Sequence, residues 1–153
     1  MVVDDGAGGR IEVRPPVGGD YLFDWTVAPG APTGPAHRHP AHEERFEMLE
    51  GRLAIRAGRR WRELAAGESM AVPLGTAHAL ANRSGRPARV RVTVSPGAGA
   101  AEFFPRMLEL YRTRHGIGRL VALAGHFHDR RDFVRFGFPY AAGLAVLRRL
   151  RRR

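Results

Sequence analysis

The sequence predicts a mainly β domain of many short strands, a sandwich or barrel, followed by α-helices. Three observations carry this expectation. From about residue 10 to residue 97, runs of β-formers are short and are cut at close intervals by Gly and Pro. Several runs alternate apolar with polar side chains, as a strand with one face inward requires. After SPGAGA at 95–100 the runs lengthen and the apolar spacing becomes helical.

The strands are expected at 11–14, 20–28, 36–39, 44–50, 52–57, 60–64, 69–72, 77–82 and 88–95. In the second of these, Tyr21, Phe23, Trp25 and Val27 share one face against Leu22, Asp24 and Thr26. Leu53 and Ile55 sit between Arg52, Ala54 and Arg56, and Val90, Val92 and Val94 oppose Arg89, Arg91 and Thr93. Pro105 is placed to open a first helix at its first turn, continued by Met107, Leu108, Leu110 and Tyr111 and ended near His115-Gly116. A second helix is expected around 118–126, and a third from Tyr140 to the end, where Leu144, Leu147 and Leu150 recur along one side. The chain thus divides into a barrel at 10–97 and a helical extension at 101–153, too short for an independent core and so packed on the barrel or on a second subunit.

The composition bounds the chemistry. At 153 residues, 44% hydrophobic and 26% charged, the chain has the makeup of one globular domain. It has no cysteine, so disulfides, thiolate sites and cysteine nucleophiles are out, and any metal must be held by nitrogen and oxygen. All 25 basic residues are arginine, which removes lysine Schiff-base and lysine general-base mechanisms. No stretch reaches the roughly 18 apolar residues of a membrane span, and MVVDDGAGGR carries acids where a secretory signal carries bases. The expectation is a cytoplasmic protein.

Charge is uneven. Residues 1–100 hold 13 arginines against 11 acids, whereas 101–153 hold 12 against 4. A basic tail of this kind can bind nucleic acid, but no helix-turn-helix pattern flanks the barrel, and a solvated helix end is the plainer reading.

The informative segment is GPAHRHPAHEERFEMLEG at 34–51. His37 and His39 are two apart, so on a strand both imidazoles leave one face and can converge on an ion. Glu44 follows a gap containing Pro40, with Phe46 and Met48 further along its face. In GESMAVPLGTAHALAN at 67–82, Pro73 and Gly75 make a turn before His78, and Leu80 and Asn82 share the parity of His78. Three imidazoles and one carboxylate suit Fe(II), Mn(II), Ni(II), Cu(II) or Zn(II).

These two segments resemble the two cupin motifs. His37, His39, Glu44 and Gly51 fit the first, although Ala31 stands where its leading glycine belongs and Gly30 lies one residue early. Gly67, Pro73, Gly75, His78 and Asn82 fit the second at every specified position, and the short gap at 52–66 is like that of compact single-domain bacterial cupins. The resemblance covers roughly residues 10–97. It implies a double-stranded β-helix, a jelly-roll-like barrel, holding one divalent metal with His37, His39, Glu44 and His78. It also implies a homodimer, since cupin barrels commonly pair. The cavity wall by parity is Tyr21, Phe23, Trp25, Phe46, Met48, Leu53, Leu80, Asn82 and Val92. The function expected is a mononuclear metal enzyme, a dioxygenase among the options, acting on a small, partly apolar or aromatic molecule, with Glu44 as ligand and proton acceptor. Isomerases and lyases share the ligand set, and a non-catalytic module that binds or senses a small molecule or metal is the alternative. Outside the motifs, His42 reads as a surface residue of a turn, and His126 and His128 as structural or solvent-facing.

Overall fold

The structure, a computed structural model, describes residues 1–31 and 34–151, and side chains as far as Leu147. Its elements are β1 (Val2–Asp4), β2 (Arg10–Val13), β3 (Tyr21–Val27), β4 (His37–Arg38), β5 (Glu43–Glu50), β6 (Arg52–Ala57), β7 (Arg60–Ala65), β8 (Ser69–Val72), β9 (His78–Ala81) and β10 (Ala88–Ser95). After these come α1 (Ala98–Thr113), α2 (Gly116–Asp129), β11 (Arg135–Phe136) and α3 (Tyr140–Arg151). Two antiparallel sheets form, ordered β1-β2-β3-β10-β5-β8 and β11-β4-β9-β6-β7. This is the jelly-roll arrangement expected, with helices at the C-terminal end.

Alternation explains the core. Val90, Val92 and Val94 are at most 1% exposed, and their strand β10 lies between β3 and β5, so they meet inward side chains from both neighbours. On the outer face the polar partners of these valines are joined by Asp24, whose carboxylate accepts from Arg89 and Arg91 at 3.0 and 2.8 Å and lies 3.3 Å from Arg14. The arginine stems cover Asp24, which is 2% exposed although it stands on the outward parity of β3. Gly51 makes the tight turn from β5 to β6 at φ +75°, where the Pro87 carbonyl leaves no room for a side chain.

Helix α1 begins at Ala98, not at Pro105, which lies inside it. Proline in a helix interior forfeits a hydrogen bond and costs about 3 kcal/mol. The burial of Phe103 and Phe104 outweighs that loss: Phe104 stacks on Tyr21 at 5.3 Å and lies 4.8 Å from Phe23. Gly97, just before the helix, sits directly on the backbone of Asp20 and Tyr21, a contact that a Cβ would prevent. Helix α2 runs longer at both ends than its apolar core at 118–126 suggests. In α3, Leu144 and Leu147 are half-buried; Leu150 and the terminal arginines lie outside the described side chains. Two strands, β1 and β11, were not expected. The second of them matters most, because β11 pairs with β4 and so carries the extension to the edge of the sheet that holds His37 and His78.

Candidate metal centre

Four side chains from both sheets converge at one end of the barrel. His37 lies on β4 and His39 just beyond it, where the His39 carbonyl accepts from Gly75 N at 2.6 Å and keeps the chain in line after the strand has ended. His78 opens β9 directly opposite His37 in register. Glu44 comes from β5 in the facing sheet. His39, Glu44 and His78 are 5%, 6% and 1% exposed, and His37 is half-buried.

Each imidazole is anchored at Nδ1 by a backbone carbonyl: His37 by Pro35 at 3.0 Å, His39 by Phe133 at 2.8 Å and His78 by Thr76 at 3.0 Å. Nδ1–H donating to a carbonyl fixes the tautomer and leaves Nε2 as the ligand atom. The imidazole rings lie 4.5–5.3 Å apart. Between them the Glu44 carboxylate meets His78 Nε2 at 2.9 Å and His39 Nε2 at 3.3 Å. The four ligand atoms lie within 4.8 Å of one another. A first-row ion about 2.1 Å from each donor spans about 4.2 Å between opposite ligands, so a closure of a few tenths of an ångström completes the shell. His39 Nε2 is buried without a hydrogen-bond partner, which is the condition of a nitrogen reserved for a metal. The donor set fits a divalent transition metal.

The electrostatics agree with a ligand role for Glu44. Burial alone would raise its carboxyl, but His39 and His78 outweigh it and hold the group well below the ordinary carboxylate range. Burial pulls His37 down to about 4, reinforced by the neighbouring imidazoles. His78 goes the other way: burial would lower it, yet the bond to Glu44 wins and raises it.

The residues expected to line a cavity fall at graded depths. Phe46 is nearest the ligands, with its ring 6.1 Å from that of His78. Tyr21 and Glu44 flank Val94 in register, so Tyr21 lies two strands away at the same level; burial pushes its hydroxyl up to about 12. Phe23 and Val92 lie one inward pair deeper, and Leu80 two residues beyond His78. Met48, Leu53 and Trp25 lie toward the other end of the barrel: Met48 and Leu53 are 1% exposed within the packed core. Half-buried Trp25 donates its indole N–H to Asp5 at 2.8 Å. Asn82 braces the backbone: its amide donates to the Val27 and Arg86 carbonyls, both at 2.9 Å, and its oxygen accepts from Ser84 N and Oγ at 3.0 and 2.8 Å. Every hydrogen-bonding position on that amide is taken.

His42 is a correction. It is 4% exposed, not on the surface: its ring lies 4.4 Å from Phe133 and 4.2 Å from His39, and its Nε2 is buried without a hydrogen-bond partner. The turn that should have exposed it is covered by the C-terminal extension. His126 is structural, since its Nε2 donates to the Phe103 carbonyl at 3.0 Å. Sequence reasoning missed Phe133 and Phe136 altogether. Phe136 lies 5.8 Å from the His37 ring, and the one cue to this segment is the aromatic spacing of DFVRFGF.

Comparison with known proteins places this geometry. The cupin domain family model matches residues 23–95. An RmlC-like cupin from Shewanella frigidimarina is similar at TM-score 0.57 and 21% identity, over 64% of this chain and 85% of that one. KdgF from Halomonas sp. is similar at TM-score 0.59 and 17% identity, over 66% and 92%. A cupin-superfamily sugar phosphate isomerase from Silicibacter pomeroyi is similar at TM-score 0.52 and 22% identity, over 57% of this chain and 59% of that one. No curated protein matches the chain. With the barrel, the two motifs and the family match in agreement, residues 23–95 form a cupin domain.

Proposed function

We propose that this protein is a mononuclear metal-dependent enzyme that acts on a small, partly apolar or aromatic molecule, with a dioxygenase as the leading reaction class. The observation that carries the reading is the set of three imidazoles, each tied at Nδ1 to a backbone carbonyl, around the Glu44 carboxylate. Bound there, a divalent ion would supply Lewis-acid or redox chemistry at coordination positions that four protein ligands leave open. The chain's own groups do the rest. Phe46, Phe133 and the half-buried Phe136 give the metal end an aromatic surround, which suits an apolar substrate better than a phosphorylated sugar. Tyr21, Phe23, Leu80 and Val92 extend that apolar wall inward.

Two groups compete for proton transfer. Glu44 is the ligand carboxylate, but its carboxyl is held so low that it is a weak acceptor at neutral pH. His42 is a buried imidazole beside His39 with an unpartnered Nε2. Glu44→Gln and His42→Asn separate them. If Glu44 takes the proton, Glu44→Gln retains some metal yet loses turnover while His42→Asn does not.

A second reading is a non-catalytic module that binds or senses a small molecule or the metal. The close cover of Phe133 over His39 and His42 favours it. The deciding experiment is oxygen uptake with small aromatic and 1,3-dicarbonyl compounds, before and after chelation and metal return. Uptake lost on chelation and regained with iron supports the dioxygenase; tight ligand binding without turnover supports the module. We also read the chain as a cytoplasmic homodimer: Ile117, Leu120 and Phe138 on the extension are 56–88% exposed and apolar. A solution mass of twice 16.9 kDa is the expected result.

A further inference from the structure

A cleft of about 190 Å³ lies on the outside of the barrel, where α2, β11 and α3 meet β4. Its floor is apolar, with Phe127, Phe136 and Leu144, and its rim carries Arg38, Arg131 and Arg135. Residue alternation turns Arg38 and its partner Arg135 away from the face of β4 that carries His37, whereas Phe136, paired with His37, stands between the cleft and that imidazole with its ring 5.8 Å away.

The three rim arginines differ from their neighbours. Arg130 is paired with both Glu102 and Asp132. Among the described residues, no carboxylate lies within 4.0 Å of Arg38, Arg131 or Arg135. Arg38 and Arg135 are moreover direct cross-strand partners in the β4–β11 ladder. Like charges directly opposite on paired strands are destabilising, and this ladder is only two residue pairs long. Arg135 is held in place by donating Nε–H to the Arg131 carbonyl at 3.0 Å, which leaves its terminal amino groups to a ligand.

The geometry points to this cleft as a binding site for a small organic monocarboxylate, with the carboxylate between Arg38 and Arg135 and an apolar body against Phe136 and Leu144. The anion relieves the like-charge pair, and the guanidinium forks match a carboxylate in plane. Size selects the ligand: the cleft is smaller than the roughly 300–1,000 Å³ of drug-sized sites, which restricts it to one ring or a short chain. The arginine end of the site is separate from the metal ligands, while its floor shares Phe136 with the surround of the metal end.

The test is calorimetric titration of the full chain, stripped of metal by chelation and dialysis, with benzoate, benzamide and inorganic phosphate. Benzoate is expected to bind once per chain, at least tenfold more tightly than benzamide or phosphate. Arg38→Gln/Arg135→Gln is expected to weaken benzoate at least tenfold, and Leu144→Gln to weaken it through the floor alone. The charge-matched control Arg59→Gln/Arg60→Gln, at the exposed turn from β6 and the first residue of β7, is expected to change nothing. The proposal is overturned by equal binding of benzamide, by phosphate binding as tightly as benzoate, by an unchanged affinity in Arg38→Gln/Arg135→Gln, or by benzoate binding that requires metal.

Discussion

The Nδ1 of His39 donates to the carbonyl of Phe133 at 2.8 Å, across 94 residues of sequence. An imidazole of the candidate metal centre is therefore oriented by the C-terminal extension. Phe133 also covers His39 and His42 with its ring and lies 4.4 Å from Phe103 of α1. The extension is thereby part of the site.

Phe133→Ala should lower stability by about 3–5 kcal/mol, the usual cost of emptying a buried aromatic position. It should also weaken metal binding, because the ring packed on His39 and His42 holds in place the segment whose backbone carbonyl orients His39, although the carbonyl itself is retained. Phe133→Leu should recover most of the stability. Urea unfolding and a metal titration on each variant check both parts, and undiminished metal affinity in Phe133→Ala would contradict a role for the ring in holding that carbonyl against His39.

Metal binding should release about one proton. In the metal-free protein both ring nitrogens of His78 face oxygen acceptors, Thr76 at 3.0 Å and Glu44 at 2.9 Å, and the group titrates above its ordinary value of 6.5. A metal ion takes Nε2 and displaces that proton. Apparent affinity should therefore rise with pH through and above that range. Calorimetry in two buffers of different ionisation enthalpy counts the protons, and a count of zero would be evidence against the assignment.

Acid should destabilise the metal-free protein in a defined window. His42 titrates at about 4, because burial and then His39 oppose its charge, and His37 behaves alike. Unfolded histidines bind protons near 6.5, so between about pH 6.5 and 4 the unfolded state takes up protons that the folded state refuses, and stability falls. His42 alone is worth on the order of 3 kcal/mol across that window. His78 has the opposite sign, its contribution being present below 6.5 and lost as pH rises through its raised value. Urea midpoints measured across that range should fall less steeply in His42→Phe.

Asp24→Asn should cost about 2 kcal/mol. The carboxylate is buried against Arg14, Arg89 and Arg91, but those arginines are 31–36% exposed, so solvent screens part of the loss. Burial acts to raise the Asp24 carboxyl, and the arginines outweigh it and lower it. Its contribution is therefore present above the ordinary carboxylate range and is lost as pH falls through the lowered value. Denaturant midpoints at pH 7 and pH 3 should differ less in the variant than in the parent.

Much of the barrel was legible because its strands obey period two. Val90, Val92 and Val94, and Tyr21 with Phe23, sit inward as their parity requires. The four candidate ligands were legible because their spacing fits the two motifs, with His37, Glu44 and His78 at the starts of β4, β5 and β9 and His39 just past the end of β4. Parity gave the face but not the depth, so Met48 and Leu53 share the face of Phe46 without sharing its nearness to the ligands. The extension was the least legible part. A two-residue strand such as β11 has no period to read, and the burial of His42 depends on Phe133, which arrives from 91 positions later in the sequence. Pro105 misled because local helix rules carry no information about the Tyr21 and Phe23 rings waiting for Phe104.

The most direct test of the metal centre is elemental analysis after incubation with Fe(II), Mn(II), Ni(II), Cu(II) or Zn(II) and desalting. The account predicts one equivalent of a divalent metal per chain in the parent, and less than about a tenth of that in a His78→Ala variant that keeps the parent's circular dichroism. A parent that retains none of the five, or a His78→Ala protein that retains a full equivalent, would contradict it.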